Sequence, residues 1–243
     1  MSLPEHTDGH LLDGRVSYAQ PRHGFRSGIE PVLLAAAIPA QPGSRVLEGG
    51  SGAGATLLCL AARVPGIVGV GIERDAPLAA LARQNAAANR WSDLTFDAAD
   101  ITSAQLADTF DHACANPPYH TAGGTPSPDQ ARQAAKSAGA GQLAAWAVAL
   151  ARPLRTHGTL TFILPAAILV EAIDAFVRAR CPPTALLPLW PQPGQAAKLL
   201  LLRGVKGSRA PLRLLSGLTL HTPSGSFTAE AQSVLRDAAL LEL

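Results

Sequence analysis

Apolar residues fall along the chain in short blocks of two kinds, and the spacing of the blocks predicts an alternation of helices and strands. EPVLLAAAI (30–38) reads as a helix that Pro39 and Pro42 end, and RVLEGG (45–50) as a strand running into a glycine turn. ATLLCLAARV (55–64) is an apolar helix closed by Pro65-Gly66, and IVGVGIE (67–73) a buried strand. Asp75 is placed to cap a helix over 76–90, because its short carboxylate can accept from the first free N–H groups. DLTFDAAD (93–100) and FDHACANPPY (110–119) read as strands, the second ending in a Pro-Pro turn. A helix over 141–154, a strand over 158–165 and a helix over 166–180 follow. Strand-like runs at 184–190, 198–205 and 212–221 and a helix over 228–240 complete the pattern.

Strands that alternate with helices of this length imply βαβ units, an α/β fold and a mostly parallel sheet. Residues 1–29 read as irregular and glycine-rich. Residues 120–138 read as a polar loop with two Gly and two Pro, of a length that is usually functional or disordered. No internal repeat or interior linker divides the chain. The expectation is one domain over 1–243, with 1–43 as an amino-terminal extension and 44–243 as the core.

Composition narrows the class. Hydrophobic residues make up 47% and charged residues 16% of 243, which suits a substantial core and excludes a disordered chain. Aromatics are only 5%, so the core is built mostly of small aliphatic side chains and an aromatic outside it needs a reason. Cys59, Cys114 and Cys181 are scattered, without metal-ligand spacing or a disulfide framework, which suits a reducing cytoplasm and no metal. The amino terminus lacks the layout of a signal peptide, and no apolar run reaches the roughly 18 residues of a membrane helix. The net charge of +2 does not by itself imply a polyanion. Its distribution does more: between Ala175 and Ala229 there is no acidic residue, and seven basic ones stand there, among them Lys198, Arg203, Lys206 and Arg209. A solvated face and an anionic partner both account for such a run.

Four motifs carry chemistry. After the first core strand comes Glu48-Gly49-Gly50-Ser51-Gly52-Ala53-Gly54, with Ala55 where the dinucleotide fingerprint would place its third glycine. This pattern fits a nucleoside-methionine cofactor better: Gly50, Gly52 and Gly54 make room for it, and Glu48 approaches its α-ammonium directly or through water. Glu73, about 20 residues on, ends the next strand, where a carboxylate can accept from both hydroxyls of a ribose. Asp100 leaves the third strand and can accept from an adenine amine; Asp97 competes, but Asp100 is nearer the edge where ligands bind such sheets. Last comes Asn116-Pro117-Pro118-Tyr119. Two oxygen acceptors, from Asn116 and from the Pro117 carbonyl, would turn the lone pair of a conjugated NH₂ toward a methyl donor. The prolines fix those acceptors beforehand, and Tyr119 offers a face for stacking.

Taken in order, these motifs and their flanks resemble the tRNA (adenine-N6)-methyltransferases that modify an adenine beside the anticodon of valine tRNA. The likeness extends to HGFRSGIEPVLLAAA (23–37), to the polar loop and Trp-bearing helix after NPPYH, and to LTLHTPSGSFTAEAQSVLRDA (218–238). It implies a Rossmann-like class I methyltransferase with a mostly parallel seven-stranded sheet and helices on both faces. It further implies S-adenosyl-L-methionine as cofactor and tRNA, through its anticodon loop, as partner, in the cytoplasm and without a membrane. Arg26 falls where that family carries a basic residue, which would face the cofactor carboxylate or an RNA phosphate, or be a surface charge. His120 stands where another aromatic is common and is read as a substrate contact or a solvated loop residue. Lys198, Arg203, Lys206 and Arg209 would grip RNA. The same tetrapeptide occurs in enzymes acting on glutamine N5 and guanine N2, which are the alternatives.

Overall fold

The computed structural model describes residues 3–23, 27–106, 109–118 and 140–243. The elements of the core are α1 (Glu30–Ala37), β3 (Arg45–Gly49), α2 (Ala55–Arg63), β4 (Val68–Glu73), α3 (Ala76–Ala88), β5 (Leu94–Ala98) and β6 (Phe110–Ala115). They continue with α4 (Ala140–Ala151), β7 (Leu154–Pro165), a 3₁₀ turn at Ala166–Ile168, α5 (Leu169–Arg178), β8 (Pro183–Trp190) and β9 (Leu199–Val205). Two-residue strands β10 (Arg213–Leu214) and β11 (Leu218–Thr219) and the helix α6 (Ala229–Asp237) close the chain.

Seven strands lie in the order β8-β9-β7-β6-β3-β4-β5. All neighbours are parallel except β9, which runs antiparallel between β7 and β8. The expected seven-stranded sheet is therefore present, widened by β10 and β11, which pair with β8 to make nine strands. The run 212–221 does not form one strand, because Gly217 turns the backbone at φ +88 against the Pro188 carbonyl and the Trp190 ring.

Successive strand residues face opposite sides, and both sides are buried, which is why the core strands read as unbroken apolar runs. Val46 and Ile163 point into one cluster with Leu34 of α1, Leu57 of α2, Leu81 of α3 and Val234 of α6. Leu47 and Phe162 point into the other, with Leu150 of α4 and Phe176 of α5. Each such fully buried side chain contributes roughly 1.5–3 kcal/mol of apolar transfer.

The amino terminus departs from expectation. Residues read as irregular form a hairpin of β1 (His6–Leu11) and β2 (Val16–Pro21), paired from His6↔Pro21 to Leu11↔Val16. Its turn holds Leu12 and Asp13 in the left-handed region. The free edge of β2 is not left open. Asn85 of α3 accepts from the Ala19 N–H at 2.9 Å and donates to the Ala19 carbonyl at 2.8 Å and the Ala53 carbonyl at 2.9 Å. One helical turn on, Asn89 makes the same pair of bonds with Ser17, at 2.9 and 2.7 Å. Two amides four residues apart on one helix face thus stand in for a neighbouring strand.

Candidate active site at the carboxyl edge of the sheet

The chain runs outward from β3 to β4 and β5, then returns to place β6 on the other side of β3. That reversal opens a crevice at the carboxyl ends of β3 and β6, where open α/β sheets bind ligands. The register is level across it. Gly49 is opposite both Ile72 and Ala115, Ile72 is opposite Asp97, and Ala115 is opposite Phe162. Gly50, Glu73 and Asn116 each follow one residue later, so the three sequence motifs leave adjacent strands at one height.

The glycine turn is held from below by the Ile72 carbonyl, which accepts from Gly50 N–H at 2.8 Å and Ser51 N–H at 3.2 Å. Gly50 and Gly52 have φ of +66 and +54, the left-handed region that favours glycine. A Cβ on Gly50 would lie 2.7 Å from the Trp146 ring, whereas one on Gly52 would meet nothing within 4 Å. Trp146 of α4 therefore backs the turn, and the space above Gly52 is open. Gly54 has another task than the one expected. A Cβ there would lie 2.9 Å from the Phe96 ring and 3.3 Å from Ala82, so this glycine lets α2 pack closely on the core rather than facing a ligand.

Two of the three candidate carboxylates adjoin the turn, and the third, Asp100, follows β5 two strands away. Glu48 is buried, accepts from the Thr56 hydroxyl and the Leu57 N–H, and has its Oε2 buried without a partner. Burial pushes its carboxyl up to about 8. Glu73 accepts Gly52 N–H on Oε2 and Asp75 N–H on Oε1, each at 2.8 Å, and its carboxyl is raised chiefly by burial. Each oxygen has one donor and keeps a lone pair. Asp100 accepts on Oδ1 from the Thr102 hydroxyl at 2.7 Å and N–H at 2.8 Å, which hold it below the usual carboxylate range and leave Oδ2 to other donors. Asp97 stays exposed within β5, whereas Asp100 lies beyond the edge. Asp75 caps α3 as expected, its Oδ1 accepting from Leu78 N–H at 3.1 Å.

Asn116 is half-buried and Pro117 buried, directly after β6. Tyr119, His120 and Arg26 lie outside the described residues. Of the expected basic grip, Arg203 is withdrawn from the surface, and Lys206 and Arg209 stand away from the crevice. Arg203 is 8% exposed, and its guanidinium donates to the carbonyls of Ala37 and Leu243, so it ties β9 to α1 and the end of the chain instead of facing solvent. Because β9 is antiparallel, Lys206 and Arg209 emerge at the opposite, amino edge of the sheet. There Lys206 donates to the Ala151, Arg152 and Leu154 carbonyls beyond α4. Of the four, only Lys198 stands at the carboxyl edge, its carbonyl accepting from Ala166 N–H at 2.9 Å. Trp146 and Asn85 support the site and carried no motif; the internal Trp of a helix in an aromatic-poor chain was the one available signal.

This architecture is that of the class I S-adenosylmethionine-dependent methyltransferases. A crystal structure of a predicted O-methyltransferase from Agrobacterium tumefaciens superposes with a TM-score of 0.72 at 23% identity, over 88% of this chain and 99% of that one. A putative class I S-adenosylmethionine-dependent methyltransferase from Listeria monocytogenes gives 0.56 at 18% identity, over 77% and 63%. The methyltransferase small domain family matches residues 30–143. The chain is 31% identical over 212 residues to the tRNA1(Val) (adenine(37)-N6)-methyltransferase of Aeromonas hydrophila, covering 85% of this chain and 87% of that protein. It belongs to the tRNA1(Val) (adenine(37)-N6)-methyltransferase family.

Proposed function

We propose that this chain transfers a methyl group from S-adenosylmethionine to the exocyclic N6 of an adenine in tRNA, in the anticodon loop. The observation that carries the reading is the level register that sets Asn116-Pro117 beside the glycine turn and Glu73. The residues present fit the cofactor. The orphaned Glu48 Oε2 suits its ammonium, the spare lone pairs of Glu73 suit a diol, the free oxygen of Asp100 suits an adenine amine, and the space above Gly52 admits its body. When bound, S-adenosylmethionine supplies an activated methyl on a good leaving group. The protein's part is then orientation rather than strong base catalysis.

Asn116 and the Pro117 carbonyl accept from the NH₂ of the target, so that its lone pair is directed out of the ring plane toward the methyl. Pro117 and Pro118 hold those acceptors in place without a backbone N–H to compete for them. Tyr119 stacks on the extruded base, and a loop target keeps the unstacking cost small. Both alternatives, glutamine N5 and guanine N2, use the same acceptors.

The test is incubation with tRNA lacking its own modification, followed by nucleoside analysis. N6-methyladenosine should accumulate with the wild-type protein and fall by at least a hundredfold with Asn116→Ala. Methylation of a glutamine-bearing peptide with none of RNA would overturn the reading.

A further inference from the structure

Methyl transfer occupies one edge of the sheet; the other edge is basic. Four segments meet there: the start of β7, the loop after β9, the α5–β8 turn and the start of β6. His157 N–H donates to the Lys206 carbonyl, Lys206 N–H to the Gly158 carbonyl and Gly207 N–H to the Arg180 carbonyl, at 3.1, 2.9 and 3.1 Å. Arg155, His157, Arg180, Lys206 and Arg209 are thereby gathered on one surface. Arg155 is paired with Asp111 at 2.9 Å, and Lys206 caps carbonyls. Arg180 and Arg209 are exposed and make no ion pair among the described residues. A second observation concerns the backbone. His157 and Arg180 hold φ of +65 and +56, positions where glycine or asparagine would be less strained. At Arg180 this is the left-handed residue that closes α5, with Cys181 N–H donating to the Phe176 carbonyl and Arg180 N–H to the Val177 carbonyl, so two adjoining turns fix where a basic side chain leaves the surface.

We propose that this amino edge is a second docking surface for RNA, contacting the phosphate backbone of the substrate remote from the methylated base. The inference rests on the tRNA reading above. From Gly158 to Pro165 the strands span about 23 Å at ~3.3 Å per residue, so only an RNA extending well past its target loop reaches both edges. Around the site the described residues offer Glu73, Asp75, Asp97 and Asp100 against Arg74 and Lys198. A polyanion is better held by the cations of the far edge than by those beside the methyl donor.

The test compares wild type with Arg180→Asn/Arg209→Gln. Each binds a whole valine tRNA transcript and its isolated anticodon stem–loop across a range of salt concentrations. Affinity for the transcript should fall about tenfold near 0.15 M salt and the salt slope by about 1.5, two phosphate contacts being lost. Stem–loop affinity and S-adenosylhomocysteine affinity should not change. Arg180→Asn alone should melt no lower than wild type, since asparagine accepts the left-handed turn. An unchanged slope and affinity for the transcript, or an equal loss on the stem–loop, overturns the proposal, as does a wild type that binds no tRNA. A wild type that binds the transcript with the expected slope but methylates no adenine in it overturns the functional reading and leaves the surface standing.

Discussion

Glu48 makes the buried carboxylate of this site a measurable quantity. In the unfolded chain its carboxyl titrates near 4.5, and in the folded protein near 8, because burial strips water from the charged form. Between those values the folded state keeps a proton that the unfolded state releases. Stability owed to this group is therefore complete below pH 4.5, lost progressively as pH rises, and gone above about 8. A gap of about 3.5 pH units at about 1.4 kcal/mol per unit is about 5 kcal/mol, the full ionic penalty of burying this group in the cofactor-free protein. Glu48→Gln removes the titration. Its amide oxygen can still accept from Thr56 and Leu57, but the new NH₂ takes the place of an oxygen that has no partner, which costs at most about 1–3 kcal/mol at every pH. The variant should be the less stable protein at pH 5 and the more stable one at pH 8, with the curves crossing between about pH 5 and 7.

Urea unfolding of both proteins at three or four pH values reads this directly. The same carboxylate, if it meets the ammonium of the cofactor, is ionised on binding. Wild-type affinity for S-adenosylhomocysteine should then rise toward pH 8 with release of a proton, seen by calorimetry in buffers of different ionisation heat. Glu48→Gln should bind more weakly and release none. A stability difference that is flat from pH 5 to 8 would refute the argument from burial. Equal proton release by the two proteins would refute the ammonium contact while leaving the burial argument intact.

Three further outcomes follow from the geometry. Gly50→Ala combines a left-handed φ with a Cβ 2.7 Å from Trp146, so it should lower stability by about 1–3 kcal/mol and weaken cofactor binding at least tenfold; adding Trp146→Ala should recover part of the stability and not the binding, as thermal melts and equilibrium dialysis will show. Asn85→Ala leaves the Ala19 N–H and carbonyl and the Ala53 carbonyl without their partner and should cost about 2–4 kcal/mol in urea unfolding, with early proteolysis of the amino-terminal hairpin. Arg203→Met should destabilise by about 2–4 kcal/mol, since its guanidinium links Ala37 to Leu243, yet leave the salt dependence of tRNA binding untouched; a reduced slope would return Arg203 to the RNA surface.

The apolar blocks were legible because strands such as Leu160–Leu164 are buried on both faces, leaving periodicity and punctuation to mark their ends. The candidate site was legible for a related reason: each motif sits at a strand end, with a helix between Gly50 and Glu73 and between Glu73 and Asp100, and none between Asp100 and Asn116 among the described residues. What escaped depends on partners far away in the chain. The hairpin is secured by Asn85 and Asn89, 66 and 72 residues beyond Ala19 and Ser17, and nothing local in β1 or β2 announces an edge paired to a helix. Arg203 looks like one more member of a basic run until its guanidinium is found under α1. Gly54 looks like its neighbours until Phe96 is found against it.

The two ends of the sheet set opposite electrostatic conditions, and their separation limits how they can cooperate. Among the described residues, carboxylates outnumber cations at the crevice, which favours a cationic cofactor and opposes a phosphate backbone. At about 0.15 M salt the screening length is about 8 Å, far shorter than the about 23 Å between the edges. The repulsion is therefore confined to phosphates close to Glu73 and Asp100, and a base can enter while its flanking backbone is turned away. By the same argument, Arg180 and Arg209 cannot draw RNA into the crevice through the field alone. They add affinity only by touching it, so their contribution must appear as a change in salt slope with whole tRNA and vanish with a fragment too short to reach them.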